Sequence, residues 1–500
     1  MDRRRFIRNS IAATFAATMP ASALWAVSLR HAPTEVTADI NAITGDGEQL
    51  TLKQAAVQEL SESLKGKLLL PGSEGYDAAR LLLNPDFDKF PALVVQPSGA
   101  ADVGYAVSFA RENGLLLAVK CGGHSASGQS SCDGGMQIDL SHMRGVRVDP
   151  AARTARVEGG SLLGELDHES MAHGLVTTAG TVSHTGVGGH ALGGGFGRLG
   201  RRFGLTLDNA LEYDVVTADG KLHRAALDEN PDLFWGLRGG GGNFGVVTSF
   251  LFRLHPMQRQ VSFGRFVFPF SEAKQVMNFF AEYADGAPDE LQVDGGIGGA
   301  PGQDPGAMIA VVWSGDSGRT EEIFAPIRKA GTVVSETVQP MDYVALQRSG
   351  DYDDPRAFSG YMKSGFTGKL SPALIDDLVD NFEHQPNRAT RVVFQQSGGA
   401  IGRVAADATA FAHRESKHNM LSFVSWKYGD DGAEHVRYIK SHWANMEKYT
   451  RGFYTNDMYA EGQSEINANY RGNYPRLLEL KNRVDPTNLF RLNANVRPTV

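Results

Sequence analysis

Two stretches of this 500-residue chain join glycine runs to a histidine. One is Lys120-Cys121-Gly122-Gly123-His124-Ser125; the other runs Gly186-Val187-Gly188-Gly189-His190-Ala191 and on through Gly194 and Gly195 to Gly197. Glycine has no Cβ and reaches φ > 0, so successive backbone N–H groups can converge on a pyrophosphate. The guest these loops imply is a dinucleotide. A formal G-x-G-x-x-A match at Gly186, Gly188 and Ala191 would open a Rossmann unit if it joined a strong strand to a helix. The preceding stretch 175–181 is short and polar, and the glycines continue where a helix should already run, so the Rossmann reading is set aside.

The elements that must hold these loops read as mixed α and β. Residues 115–119 form a buried strand entering the first loop, and 136–140 alternate as a half-buried strand should. Val103, Val107 and Ala110 recur at helical spacing and stop at Gly114, and a second helix starting at Ser161 carries Leu162, Leu163 and Leu166 to Gly174. Residues 211–217 followed by Ala218-Asp219-Gly220 read as a strand and tight turn, and 244–254 as a long strand ending before Pro256. Beyond that proline come longer strands at 260–268 and 308–313, with helices at 272–283 and 372–382. The last fifty residues return to a glycine- and asparagine-rich texture, Tyr470-Arg471-Gly472-Asn473-Tyr474, before a helix closing at Asp485-Pro486.

Composition narrows the class. With 42% apolar residues the chain can fill large cores, and a net charge of −8 lacks the basic footprint of a nucleic-acid binder, so no nucleic-acid partner is expected. The 58 glycines are clustered rather than periodic, which excludes collagen-like and linker sequences. Two cysteines, Cys121 and Cys132, make no disulfide framework, and the fourteen histidines show no HExxH spacing, so no metal site is expected. Arg3-Arg4-Arg5-Phe6-Ile7-Arg8, a short apolar run and Ala21-Ser22-Ala23 read as a twin-arginine export segment, giving a periplasmic or secreted product with no membrane span once it is removed. The export machinery would then be a transient partner.

Taken together, Gly122-Gly123-His124-Ser125, the 186–197 run, residues 202–209, Trp235-Gly236-Leu237-Arg238-Gly239 with Gly240 to Gly245, and Asp485-Pro486-Thr487-Asn488-Leu489-Phe490 resemble, in order, the motifs of berberine-bridge-enzyme-like flavoproteins of the vanillyl-alcohol oxidase superfamily. The resemblance spans from about Pro91 to the C-terminus. It implies an α+β fold: a two-lobed PCMH-type FAD-binding domain and an α/β substrate domain with an antiparallel sheet. The corresponding division is 1–30 export segment, 31–256 FAD domain, 257–450 substrate domain and 451–500 a segment returning to the FAD domain.

The resemblance also implies roles. His124 matches the histidine that bonds the flavin 8α carbon; Val182 stands where many relatives carry a second tethering cysteine, so the FAD would be held by His124 alone. Further cofactor contacts carried over are Lys120, Cys121, Gly122, Gly123, Ser125, Gly128, Gly180, Thr181, Val182, Thr185, Gly186, Gly188, Gly189, His190, Gly194, Gly195, Gly242, Gly245, Val246, Val247, Asn473, Tyr474 and Asn493. Thr185 occupies the position associated with oxygen access, where a small residue favours an oxidase. Arg403, after Gly398-Gly399, stands where the plant branch has a glutamate base. Saccharide-oxidising relatives use a tyrosine at the end of a Tyr-x-Asn-Tyr segment, where Tyr454-Thr455-Asn456-Asp457 has Asp457. Asp457 is thus the candidate base, with a solvated loop acid as the open alternative, and Tyr454 and Tyr459 are phenolic alternatives. Lys363 matches a substrate-domain lysine, for which an exposed salt bridge is the competing role.

The function implied is an FAD-dependent oxidase that takes hydride from a hydroxyl-bearing small molecule, a saccharide or an aromatic alcohol, and passes the electrons to O2. A dehydrogenase using a quinone or other acceptor, and a flavin-holding protein without turnover, stand as alternatives.

Overall fold

The computed structural model describes residues 33–299, 304–354, 356–382, 390–459 and 461–500; residues 1–30, read from the sequence as an export segment, lie outside them. Three sheets carry the architecture. In the first, strands Lys67–Leu69, Leu93–Gln96, Met136–Asp139 and Leu117–Lys120 lie side by side in that order, the last three mutually parallel. Parallel neighbours require a crossover, and the helix Ala100–Glu112 supplies it, burying Val103, Ala106, Val107 and Ala110 along one face. Met136–Asp139 is buried at every position, not at alternate ones as its sequence pattern suggests, because a strand between parallel neighbours is covered on both faces.

The second sheet is antiparallel, ordered Leu222–Ala226, Ala210–Val216, Val246–Arg253, Thr154–Glu158, Val146–Asp149. The helix Leu163–Met171 packs beside it. It begins two residues after Ser161, and its capping contact comes from Glu165, whose carboxylate accepts from Leu162 N–H at 2.8 Å. Between the two sheets' connections the glycine run does form a short helix, Val187–Gly193, contrary to the expectation that glycine would prevent one. The strand before it, Leu175–Val176, pairs antiparallel with His255–Pro256, so no Rossmann unit results.

Seven antiparallel strands form the third sheet, in the order Ser335–Asp342, Gln260–Pro269, Gly306–Trp313, Leu291–Gly298, Arg391–Gln396, His418–Lys427 and Phe358–Thr367. Side chains alternate across it. One face, with Val293, Val392, Phe394 and Met420, packs under the helices Ala273–Asp285, Pro372–Phe382 and Ala433–Met446. The other face, with Asp294, Val393, Gln395 and Leu421, turns toward the glycine loops.

The C-terminal helix Tyr474–Val484 packs Leu477 and Leu480 into the core of the second sheet, and Leu489 and Phe490 enter the core of the first. Lys481 explains the Asp-Pro-Thr-Asn-Leu-Phe segment. Its fully buried Nζ donates to Asp485 Oδ2 (2.7 Å) and to the carbonyls of Asn243 (2.8 Å) and Phe490 (3.0 Å). Asp485 in turn accepts from the N–H groups of Leu489 (2.8 Å) and Phe490 (2.9 Å), so the buried charges are satisfied and the tail is pinned against the first sheet.

Candidate active site

A cavity of about 620 Å³ runs between the glycine loops and the open face of the seven-stranded sheet. Its floor is backbone. The 121–123 and 184–186 turns approach so closely that a Cβ on Gly122 would lie 2.4 Å from Gly186 N, and one on Gly186 would lie 2.4 Å from Cys121 Sγ. Gly189, Gly241 and Gly242 instead have no atoms packed over them within ordinary contact, apart from Asn493 Nδ2 at 3.9 Å from a Cβ on Gly242. Added side chains there would project into free space.

His124 lies on the cavity wall. Its Nε2 is 2.7 Å from His184 Nδ1, a contact that needs one shared proton, and its Nδ1 is 3.4 Å from Thr185 Oγ1. Burial, then the neighbouring His184 ring, push His124 down to about 3, so the imidazole is neutral at physiological pH and retains a nucleophilic nitrogen. Burial likewise holds His190 at about 4. The loop carrying His184 is clamped by Asp351, which accepts from Ser183 N (2.7 Å) and Ser183 Oγ (2.5 Å).

Asp457 lines the same cavity; its Oδ2 accepts from Asn419 Nδ2 at 2.9 Å, and burial raises its carboxyl to about 6. Tyr454 also lines the wall, but its Oη accepts from Gly195 N–H and from Asn456 Nδ2, both at 2.7 Å, and burial drives its proton affinity up. It therefore braces the loop, while Asp457 keeps one oxygen toward the cavity. Asp294, which the sequence did not single out, is a second carboxyl on this wall, raised by burial and tied through Oδ1 to Gln396 N–H (2.9 Å) and Gln292 Nε2 (2.8 Å).

All the cofactor candidates line this cavity except six. Lys120 donates to Ala79 O at 2.6 Å under the first sheet, and Gly128 packs on Phe87. Gly194 and Gly195 lie behind Tyr454, Asn473 donates to the carbonyls of Ala406 and Thr409, and Tyr474 packs on the second-sheet core. Tyr459 also lies off the wall, its ring against Tyr361 and Phe87. Arg403 is exposed at the end of the short helix Ala400–Arg403 and pairs with Asp289 at 2.6 Å, off the cavity wall; Gln395, on the preceding strand Arg391–Gln396, faces inward. Lys363 is engaged by Glu461 at 2.6 Å. Both cysteines are free, and Cys121 Sγ, pushed up to about 11 by burial, is not a reactive thiolate.

The donor set fits a flavin dinucleotide. Among the described residues no lysine or arginine lines the cavity, so pyrophosphate charge would be met by backbone N–H groups of the glycine loops. His190 Nε2 and Asn493 Oδ1, both on the wall, are buried without a partner, as groups awaiting a polar ligand would be.

Residues 91–226 match the family described as FAD binding domain, and residues 466–497 the one described as berberine and berberine like. The chain is similar to an FAD-linked oxidoreductase of Dictyostelium discoideum, 32% identical over 448 residues that cover 88% of this chain and 97% of the relative. It is similar in structure to 6-hydroxy-D-nicotine oxidase from Arthrobacter nicotinovorans, with 27% identity and a TM-score of 0.80 over 87% of this chain and 99% of that one. Xylooligosaccharide oxidase from Myceliophthora thermophila C1, solved with xylobiose, gives 25% identity and a TM-score of 0.81 over 89% and 100%.

Proposed function

This chain belongs to the berberine-bridge-enzyme-like FAD-linked oxidoreductases, and from that premise we propose that it is an exported oxidase of a hydroxyl-bearing small molecule, a saccharide or an aromatic alcohol. The observation that carries this is Asp457, a carboxyl raised to about 6 on the wall of the same cavity as His124.

FAD, when bound, supplies the two-electron acceptor, taking hydride from the substrate carbon and passing the electrons to O2 as hydrogen peroxide. Asp457 takes the hydroxyl proton on the oxygen that Asn419 leaves free, so its working form is the carboxylate. Neutral His124 would hold the flavin through a ring nitrogen, and its contact with His184 fixes the orientation of its ring. Val182 and Thr185 are the wall residues that would border the flavin, and neither carries a bulky side chain that would bar O2 from it. The twin-arginine segment exports the folded protein with its cofactor.

The test is anaerobic reduction of the purified flavoprotein by candidate alcohols and sugars, followed by admission of air. Rapid reoxidation with stoichiometric peroxide supports the oxidase. Reduction followed by slow reoxidation, accelerated by a quinone, would make it a dehydrogenase, and no reduction by any alcohol or sugar would refute the reading.

A further inference from the structure

We infer that the substrate is a cationic amine with an apolar body, its ammonium group held by Asp294 at the far side of the cavity from Asp457. This rests on the reading above and narrows the hydroxyl-bearing substrate to an amino alcohol.

Strand register carries the argument. Gly295 lies opposite Phe394 and Gln395 opposite Asn419, so antiparallel pairing puts Asp294, Gln395 and Asn419 in one row across three strands of the inward face. With strands spaced about 4.8 Å apart, Asp294 and Asn419 are roughly 10 Å from each other along the row. Asp457 is bonded to Asn419, so the two carboxyls bracket Gln395. Both hydrogen bonds to Asp294 end on Oδ1, which leaves Oδ2 for a ligand.

The next rows of the same face are apolar. Val393 pairs with Leu421, and Phe423 with Met362, and all four line the cavity. The surface a substrate meets is therefore a polar row with a carboxyl at each end, continued by a hydrocarbon floor. An oligosaccharide would leave its hydroxyls unpaired over that floor, whereas an aromatic or aliphatic body buries it favourably.

Charge selects further. Asp294 and Asp457 are the only ionisable acids or bases on the wall besides the imidazoles, Cys121 and the Tyr454 phenol, and among the described residues no lysine or arginine shares that wall with them. Arg198, off the wall, donates to Gln347 Oε1 at 2.6 Å and makes no hydrogen bond to Asp294; its charge favours the carboxylate form of Asp294 while leaving Oδ2 open to a ligand. A bound dinucleotide adds phosphate charge of the same sign. An ammonium is thus attracted, a neutral group tolerated and a carboxylate repelled.

The experiment uses flavin-loaded protein and three benzyl alcohols that differ only at the para position: 4-(aminomethyl)benzyl alcohol, 1,4-benzenedimethanol and 4-(hydroxymethyl)benzoate. Binding is read anaerobically from the perturbation of the flavin absorbance near neutral pH. The amine is expected to bind at least tenfold more tightly than the diol, and the benzoate more weakly than either. Asp294→Asn should bring the amine-to-diol ratio close to one, and Asp294→Glu should keep the preference. Equal or tighter binding of the diol or benzoate, binding of none of the three, or a preference that survives in Asp294→Asn overturns the inference. The ranking is read on the unaltered protein, so a variant that fails to fold still leaves it decided. Protein that purifies without flavin and cannot be loaded would instead defeat the FAD reading itself.

Discussion

Replacing Asp457 by asparagine should stabilise the protein at neutral pH while abolishing turnover. The carboxyl ordinarily titrates at 3.8 and burial raises it to about 6. A folded-state value above the unfolded one means that folding favours the protonated form. Wild-type stability is therefore unaffected by this group below 3.8, falls as pH rises toward 6, and stays lowered above it. The displacement is worth at most about 3 kcal/mol, since the group also faces an open cavity. An asparagine carries no charge at any pH and can still accept from Asn419 Nδ2 through its amide oxygen. The gap between Asp457→Asn and wild type should thus be near zero at pH 4 and widen to a value approaching 3 kcal/mol by pH 8, measured by urea unfolding across that range. Over the same range kcat/KM of the wild type should fall tenfold per pH unit below about 6, and the variant should lose 10²- to 10⁴-fold, the usual share of a general base. A variant equally destabilised at pH 4 and pH 8, or one that retains turnover, would refute the assignment.

Three further outcomes follow from the packing. His124→Ala should still bind FAD but release it on acid precipitation, with the fold intact by circular dichroism. Gly186→Ala should lose flavin and lower stability by about 1–3 kcal/mol, because its Cβ would meet Gly122 N and Cys121 Sγ at 2.4 Å, whereas Gly189→Ala, with nothing within 4 Å, should keep apoprotein stability; flavin-to-protein ratios and urea midpoints distinguish them. Lys481→Met leaves Asp485 charged and buried without its partner, and should cost about 3–5 kcal/mol in the same unfolding assay.

The closely packed glycine loops that line the cavity were legible in the sequence because they are local: glycine runs and a histidine within a few residues of one another specify close backbone packing wherever they occur. His124, Gly186 and Gly189 came from that logic, and the cavity gathers them. Lys120 and Asn473 sit in the same motifs as wall residues yet lie off the wall, donating to main-chain carbonyls, and adjacency in sequence could not separate the two positions. The inward face of the seven-stranded sheet was not legible. Asp294, Gln395 and Asn419 are brought into one row by two non-local strand pairings, that of Leu291–Gly298 with Arg391–Gln396 and that of Arg391–Gln396 with His418–Lys427, and no short-range pattern encodes that register. His184 was missed for a different reason: it lies just before the second glycine run, and a histidine three residues before Val187 gave no hint of its 2.7 Å contact with His124. The alternation in Met136–Asp139 misled because burial on both faces is set by neighbouring strands, not by the strand's own residues.

The most direct measurement is a visible spectrum of the purified protein followed by acid precipitation. A flavin spectrum whose colour and fluorescence stay with the pellet, and move to the supernatant in His124→Ala, is the predicted result. A colourless protein that takes up no FAD on reconstitution would contradict the account.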